Sequence, residues 1–383
     1  MVPYGNLIYF LLLIILFIPI VLYGLKGKKI KTYSTIVGWI LVLLIFKNDL
    51  NQLLFFICFT IFELLIVIFY KNYRKDKNSS MLFYTLIGLS ILPLILTKIQ
   101  PFILTHSILG FLGISYVTFK TVQILIEIRD GLIKELSIME FLQFFLFFPA
   151  FTSGPIDRYR RFLNDYDHDY APGEYKVLLL NGINLIFRGF LYKFILAYAI
   201  NLYILSNVYL HEKLFILKLL YMYAYSFYLF FDFAGYSAFA IGVSYLLGIH
   251  TPQNFNRPFI SRNIKDFWNR WHMTLSFWFR DYIYMRLVFL LRKKKIIQNR
   301  YTISYIAYFT LFFLMGLWHG LELHYIVYGI YHAALIIGYD LFERKIKSKK
   351  LIPRSKFTDI LSIIVTFHFI CFGFLIFSGT LFK

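Results

Sequence analysis

The sequence predicts an all-α, polytopic transmembrane helical bundle. Three observations predict it: the composition, the uncharged runs, and the placement of the basic residues. Of 383 residues, 59% are hydrophobic and 16% charged, with 45 phenylalanines. The mean hydropathy is +0.66. A soluble domain of this size lacks the interior to hide so much apolar surface. A bilayer covers it, while helices satisfy their own backbone groups.

Uncharged or nearly uncharged runs fall at 1–25, 32–46, 50–62, 81–97, 99–119, 194–210, 219–231, 233–256, 301–321, 323–339 and 360–382. Several are shorter than the roughly 20 residues a span needs, so about 9 to 12 membrane helices are expected, some recruiting polar flanks. Period-2 alternation is absent, which disfavours a barrel. The first run lacks a basic leader and a small-residue cleavage site, so it is expected to stay as a span.

The formal net charge of +20 would point to nucleic acid in a soluble protein. Here the charge lies between apolar runs: Lys26 to Lys31, Lys71 to Lys77, Arg292 to Lys295 and Arg344 to Lys350. Cytosolic loops and anionic headgroups explain it, and nucleic acid is not expected. If the first two clusters are cytosolic, residues 32–70 run out and back, and the N-terminus of a multi-pass plasma-membrane protein starts outside. Cys58 and Cys371 both sit in apolar runs, against a disulfide framework or a zinc site.

The run 141–153 ends in Ser153-Gly154-Pro155 and is short enough for a re-entrant or interfacial element. The polar stretch from Asp157 to Lys176 reads as a loop. From Ile264 to Tyr282, apolar residues recur at three and four, which predicts one amphipathic helix along the cytosolic interface or packed beneath the bundle. The whole of 1–383 reads as one membrane domain: N-terminal helices over 1–130, a catalytic core over 136–320 and C-terminal helices over 321–383.

Polar groups inside such runs are costly and mark function. His319 ends the run from Tyr301, beside Trp318 and bracketed by Gly316 and Gly320. Burial favours a neutral imidazole able to accept a proton; the plain alternative is an interfacial histidine bonded to a headgroup. His272 follows Trp268, Asn269, Arg270 and Trp271, and ordinary interfacial solvation also accounts for it. Asp232 stands between apolar runs, with Arg188 and Lys193 as candidate partners. Ser153 and Arg158 open a loop with three arginines, whose rigid donor forks suit phosphate. No HExxH, EF-hand, GxSxG or glycine-rich nucleotide loop occurs, so no metal or chain-bound cofactor is expected. The simplest chemistry is general-base acyl transfer. His319 would deprotonate an acceptor hydroxyl, and His272 or Asn269 would orient the donor or stabilise the oxyanion.

Five ordered segments carry a resemblance: Ser153 to Arg158, Phe231 to Ser237, Asn254 to Phe259, Asp266 to His272 and Met315 to Gly320. Through them the chain resembles the membrane-bound O-acyltransferase family, and within it the branch that D-alanylates teichoic acid. The resemblance implies a helical ring around a thin centre, with His319 catalytic and His272 a second important histidine. It implies a cytosolic donor pocket and an outward acceptor funnel. The donor would be D-alanine thioesterified to the phosphopantetheine arm of a small acidic carrier protein. The acceptor would be lipoteichoic acid, reached with other membrane partners of the D-alanylation system and among membrane lipids. An O-acetyltransferase of peptidoglycan or an exopolysaccharide is the alternative chemistry. A non-enzymatic transporter or scaffold is the alternative class.

Overall fold

The structure is a computed structural model that describes residues 2–103, 109–208, 215–295, 297–349 and 355–382. Parts of the expected runs 99–119 and 194–210, and Lys350 of the last basic cluster, lie outside them. Among the described residues the chain is helical, with no strand. In order come α1 (Leu7–Gly24), α2 (Lys31–Ile45), α3 (Leu50–Asp76), α4 (Ser80–Ile99), α5 (Ile114–Arg129), α6 (Ile138–Phe145) and α7 (Tyr159–Asp167). Then follow α8 (Pro172–Val208) and α9 (Phe215–Leu246). The chain closes with α10 (Ile264–Trp268), α11 (Met273–Phe279), α12 (Met285–Lys293), α13 (Arg300–His319), α14 (Leu323–Lys349) and α15 (Lys356–Phe377).

Eight of these helices are long and apolar enough to cross a membrane, and α2 is a shorter apolar helix. The expected nine to twelve is therefore reached at its lower edge only when α2 is counted. Their outer faces invert the soluble pattern. On α1, Leu7, Ile8, Leu11, Ile14, Ile15, Ile18 and Leu22 are exposed while Phe10, Leu13 and Phe17 are buried. Such a surface needs lipid around it.

The chain divides into two compact units, Met1–Gly189 with Gly235–Pro252, and Phe190–Ala234 with Gln253–Lys383. In the first, the run expected to be re-entrant is short and broken. α6 opens on a Ser137/Glu140 capping box and is followed by a 3-10 turn at Phe148–Ala150. Phe141, Phe144, Phe145 and Phe151 are all fully buried. The stretch read as a loop, Asp157 to Lys176, instead contains α7. Arg161 bridges Asp157 and Asp165, one turn away on either side, and Tyr159 and Phe162 bury the opposite flank. A nine-residue helix held by i,i+4 ion pairs and an aromatic stripe needs no apolar run.

In the second unit, the single helix expected over Ile264–Tyr282 is broken. α10 ends at Trp268, and His272 adopts a left-handed conformation (φ 41°) before α11 begins. The residues of the expected apolar flank are buried in protein, Phe267 and Leu275 almost completely. The packed alternative holds over the interfacial one.

Candidate active site

The site is built on α13 and α14. Gly316 of α13 meets Gly329 of α14 with no side chain between: a Cβ on Gly316 would lie 2.5 Å from the Tyr325 carbonyl oxygen and 3.3 Å from Gly329 Cα. Small residues let membrane helices approach backbone to backbone. One turn later, His319 occupies the last residue of α13. Gly320 stops the helix in an extended conformation, with Glu322 and Tyr325 filling the space a side chain there would need. His319 is half-buried among aromatic rings: Trp318 at 4.6 Å, Phe377 at 4.9 Å, and Tyr325 and Tyr328 each at 6.1 Å between centroids.

His272 is held by a different device. The amide of Met273 donates to the Asn254 carbonyl (2.9 Å), and the amide of Asn256 donates to that of Arg270 (2.9 Å). Thr274 Oγ1 donates to Asn254 Oδ1 (2.5 Å). These bonds stitch the Asn254–Asn256 segment across the break and hold His272 in a backbone region that non-glycine residues rarely adopt. Its ring meets Phe233 edge-on at 4.7 Å. Burial, and to a lesser extent the charge on His319, pushes its imidazole down to about 3. Among the described residues, neither ring nitrogen of His272 has a hydrogen-bond partner.

Both histidines open into one cavity of about 130 Å³, walled by Leu229, Phe233, Trp268, Trp271, Met315 and Tyr328 among others. A second cavity, of about 250 Å³, carries Lys265, Asn269, Ser276 and Arg280 on a lining otherwise rich in Tyr, Phe and Leu. Trp268 and Met315 line both cavities and form the partition between them. Lys265, at the second cavity, donates to Asp340 (2.6 Å) and Glu343 (3.3 Å). Those two carboxylates, more than offsetting burial, raise its ammonium above the usual lysine range.

Of the residues singled out in the sequence, the structure brings His319, His272, Trp268 and Trp271 to the smaller cavity. It puts Asn269 in the larger one and Trp318 against His319. Arg270 turns to Asp266 (2.7 Å), and its remaining bond goes to the Asn256 carbonyl. Asp232 pairs with Lys193, so lysine rather than Arg188 supplies its cation. Lys193 lies in the first of two π-helical stretches of α8, Leu191–Ala197.

Ser153 and Arg158 belong to the first unit and line neither cavity. In their loop, Arg161 faces Asp157 and Asp165, and Arg160 faces Glu127 (3.2 Å). Two of the three charges read as phosphate forks are thus engaged by carboxylates of the chain itself. The reading in sequence missed Met315, Tyr328, Phe374 and Phe377 as cavity walls. An apolar residue in an apolar run carries no local mark of such a role. Among the described residues no group of three His, Cys, Asp or Glu could hold a metal.

The membrane-bound O-acyltransferase family model matches residues 45–382. The chain is 52% identical to the teichoic acid D-alanyltransferase of Bacillus subtilis, over 99% of this chain and 98% of that protein. It is 43% identical to the protein of that name from Streptococcus thermophilus, over 99% and 95%. A probable alginate O-acetylase of Pseudomonas aeruginosa is 31% identical over 73% of this chain and 51% of its own length. A shared cavity for two histidines and a match across nearly the full length agree: the chain belongs to the membrane-bound O-acyltransferase family.

Proposed function

We propose that this chain transfers D-alanine from a carrier-protein thioester across the membrane toward lipoteichoic acid, with His319 as general base and His272 as the donor that stabilises the oxyanion. The observation that carries this reading is the convergence of His319 and His272 on one aromatic-walled cavity, in a chain similar end to end to teichoic acid D-alanyltransferases. The cavity is small. At about 130 Å³ it has room for a short acyl group such as D-alanyl or acetyl.

The chemistry follows from the surroundings. The neutral imidazole of His319 takes the proton of an acceptor hydroxyl as that oxygen attacks the thioester carbonyl. The imidazolium so formed sits at the carbonyl end of α13. The tetrahedral oxyanion is stabilised by a donor, the role assigned to His272 as neutral N–H. The C–S bond then breaks and the thiolate takes the proton back from His319. Aromatic walls exclude water and so suppress hydrolysis of the donor.

The larger cavity suits the donor arm. Asn269 and Ser276 match its amides, while Lys265 and Arg280 are held by carboxylates of the chain, Asp340 and Glu343 for the first and Asp281 for the second. The net charge of +20 suits an acidic carrier approaching a basic inner face. The N-terminus then lies outside, in the plasma membrane. The roles of Trp268, Trp271 and Trp318 are those of walls, Arg270 and Asp232 support the fold around them, and Ser153 and Arg158 support the fold of the first unit.

Acetyl transfer to an envelope polymer is the second reading, favoured by the likeness to the alginate O-acetylase and by a cavity that an acetyl group also fits. Reconstitution in proteoliposomes decides between them. Labelled D-alanine on its carrier protein, but not an acetyl donor, is expected to label lipoteichoic acid. Transfer from the acetyl donor alone would overturn the D-alanyl assignment.

A further inference from the structure

Among the described residues, Trp268 and Met315 are the two that line both cavities. A donor arm laid in the larger cavity must therefore pass its acyl end between these side chains to reach His319 in the smaller one. One of them has to give way.

Trp268 is the fixed one. Its ring is enclosed by Phe267 at 5.5 Å, Phe312 at 5.1 Å and His332 of α14 at 5.0 Å between centroids. His332 is itself fully buried. Turning so large a ring means displacing its neighbours in a close-packed interior. Met315 is built differently. Its side chain is unbranched, with three rotatable bonds and a polarizable thioether, the kind that adapts to irregular space. It is buried from the outside, yet it borders about 250 Å³ of cavity on one side and about 130 Å³ on the other. A change of rotamer there has somewhere to go.

The backbone that carries Met315 is held. Gly316, the next residue, packs against Gly329, and the Tyr325 carbonyl oxygen lies 2.5 Å from where a Cβ would stand. His319 follows four residues after Met315, on the same face of α13. Whatever passes Met315 thus arrives beside the imidazole. We propose that Met315 is the gate of the donor path and a specificity-determining residue. Its side chain swings aside to admit the acyl end to His319, and its bulk against Trp268 restricts passage to short acyl groups. This rests on the acyl-transfer reading and adds the residue that selects the acyl group.

The test compares the wild type with Met315→Ala, Met315→Ile and Leu311→Ala, all full-length in proteoliposomes containing lipoteichoic acid. The carrier protein is charged with D-alanyl, D-α-aminobutyryl or D-norvalyl thioesters. In the wild type, kcat/KM is expected to fall about tenfold with each added methylene. Met315→Ala widens the gap, and the Gly316–Gly329 contact keeps α13 from closing it. Its D-norvalyl to D-alanyl ratio of kcat/KM is expected to rise about tenfold over the wild type. A merely structural role would lower all three thioesters alike. Met315→Ile keeps the bulk but is stiffened by branching at Cβ, so kcat for D-alanyl is expected to fall severalfold with the acyl-length profile unchanged. Leu311, one turn earlier on α13, lines the larger cavity and not the smaller; Leu311→Ala is expected to keep the wild-type profile.

A wild-type length profile in Met315→Ala, undiminished turnover in Met315→Ile, or the same relaxation in Leu311→Ala would each overturn the proposal. Should Met315→Ala not fold, the turnover and profile of Met315→Ile decide it. If the wild type transfers no D-aminoacyl group, the D-alanyl reading falls. Acetyl, propionyl and butyryl donors then replace the series, and the gate stands or falls on whether Met315→Ala shifts that profile toward the longer groups.

Discussion

The Asp157–Asp165 segment around α7 and the His272–His319 cavity both set polar groups in aromatic surroundings, yet they treat those groups in opposite ways. On α7, Arg161 closes on Asp157 and Asp165, and Arg160 on Glu127. Charge is consumed within the chain. Around the cavity, the ring nitrogens of His272 and His332 and the indole of Trp268 lack partners among the described residues. A satisfied network returns its desolvation cost as fixed structure, while an unsatisfied one keeps that cost for something that arrives later. Residue type alone does not separate the two regions. Pairing does.

The sharpest way to break the comparison is to remove the base. His319→Ala is expected to lower D-alanyl transfer by 10²-fold or more, with the unfolding temperature in detergent close to that of the wild type. An equally large loss of stability would put the cavity in the same class as the α7 segment. The converse variant is Asp157→Asn. Arg161 keeps Asp165, so losing its buried partner is expected to cost roughly 1.5 kcal/mol of stability, read as a lower unfolding temperature. The transfer rate per folded molecule should hardly change. A specific-activity loss there, at unchanged stability, would show that the segment handles substrate.

The smallest effect concerns pH. Burial holds the folded His272 near 3, whereas an unfolded histidine titrates near 6.5. Between those values the unfolded chain binds a proton that the folded chain refuses, so stability falls as pH drops from about 6.5 toward 3. His272→Gln should flatten that part of the curve of unfolding temperature against pH. An unchanged slope would mean that His272 is charged in the folded protein.

Much of the fold was legible because lipid imposes a simple rule. Long apolar runs such as Leu7–Gly24 and Lys356–Phe377 become helices whatever surrounds them. The histidines were legible for the same reason, as polar residues at the edges of such runs. What escaped had non-local causes. The repeat from Ile264 to Tyr282 continues in register across the break at His272, so periodicity gives no sign of it. The break is imposed by bonds from Asn254 and Asn256. α7 escaped because its stability comes from ion pairs and two buried aromatic residues rather than an apolar run. His332 was visible only as one of several late histidines, and its burial against Trp268 is a matter of tertiary packing.

The bare crossing of Gly316 and Gly329 has a kinetic corollary. Two backbones that touch directly have no cushion of side chains to shear, so α13 cannot slide along α14 without first parting from it. The imidazole at the end of α13 is therefore a stationary post rather than a shuttle. In the transfer proposed above, donor and acceptor each travel to that post.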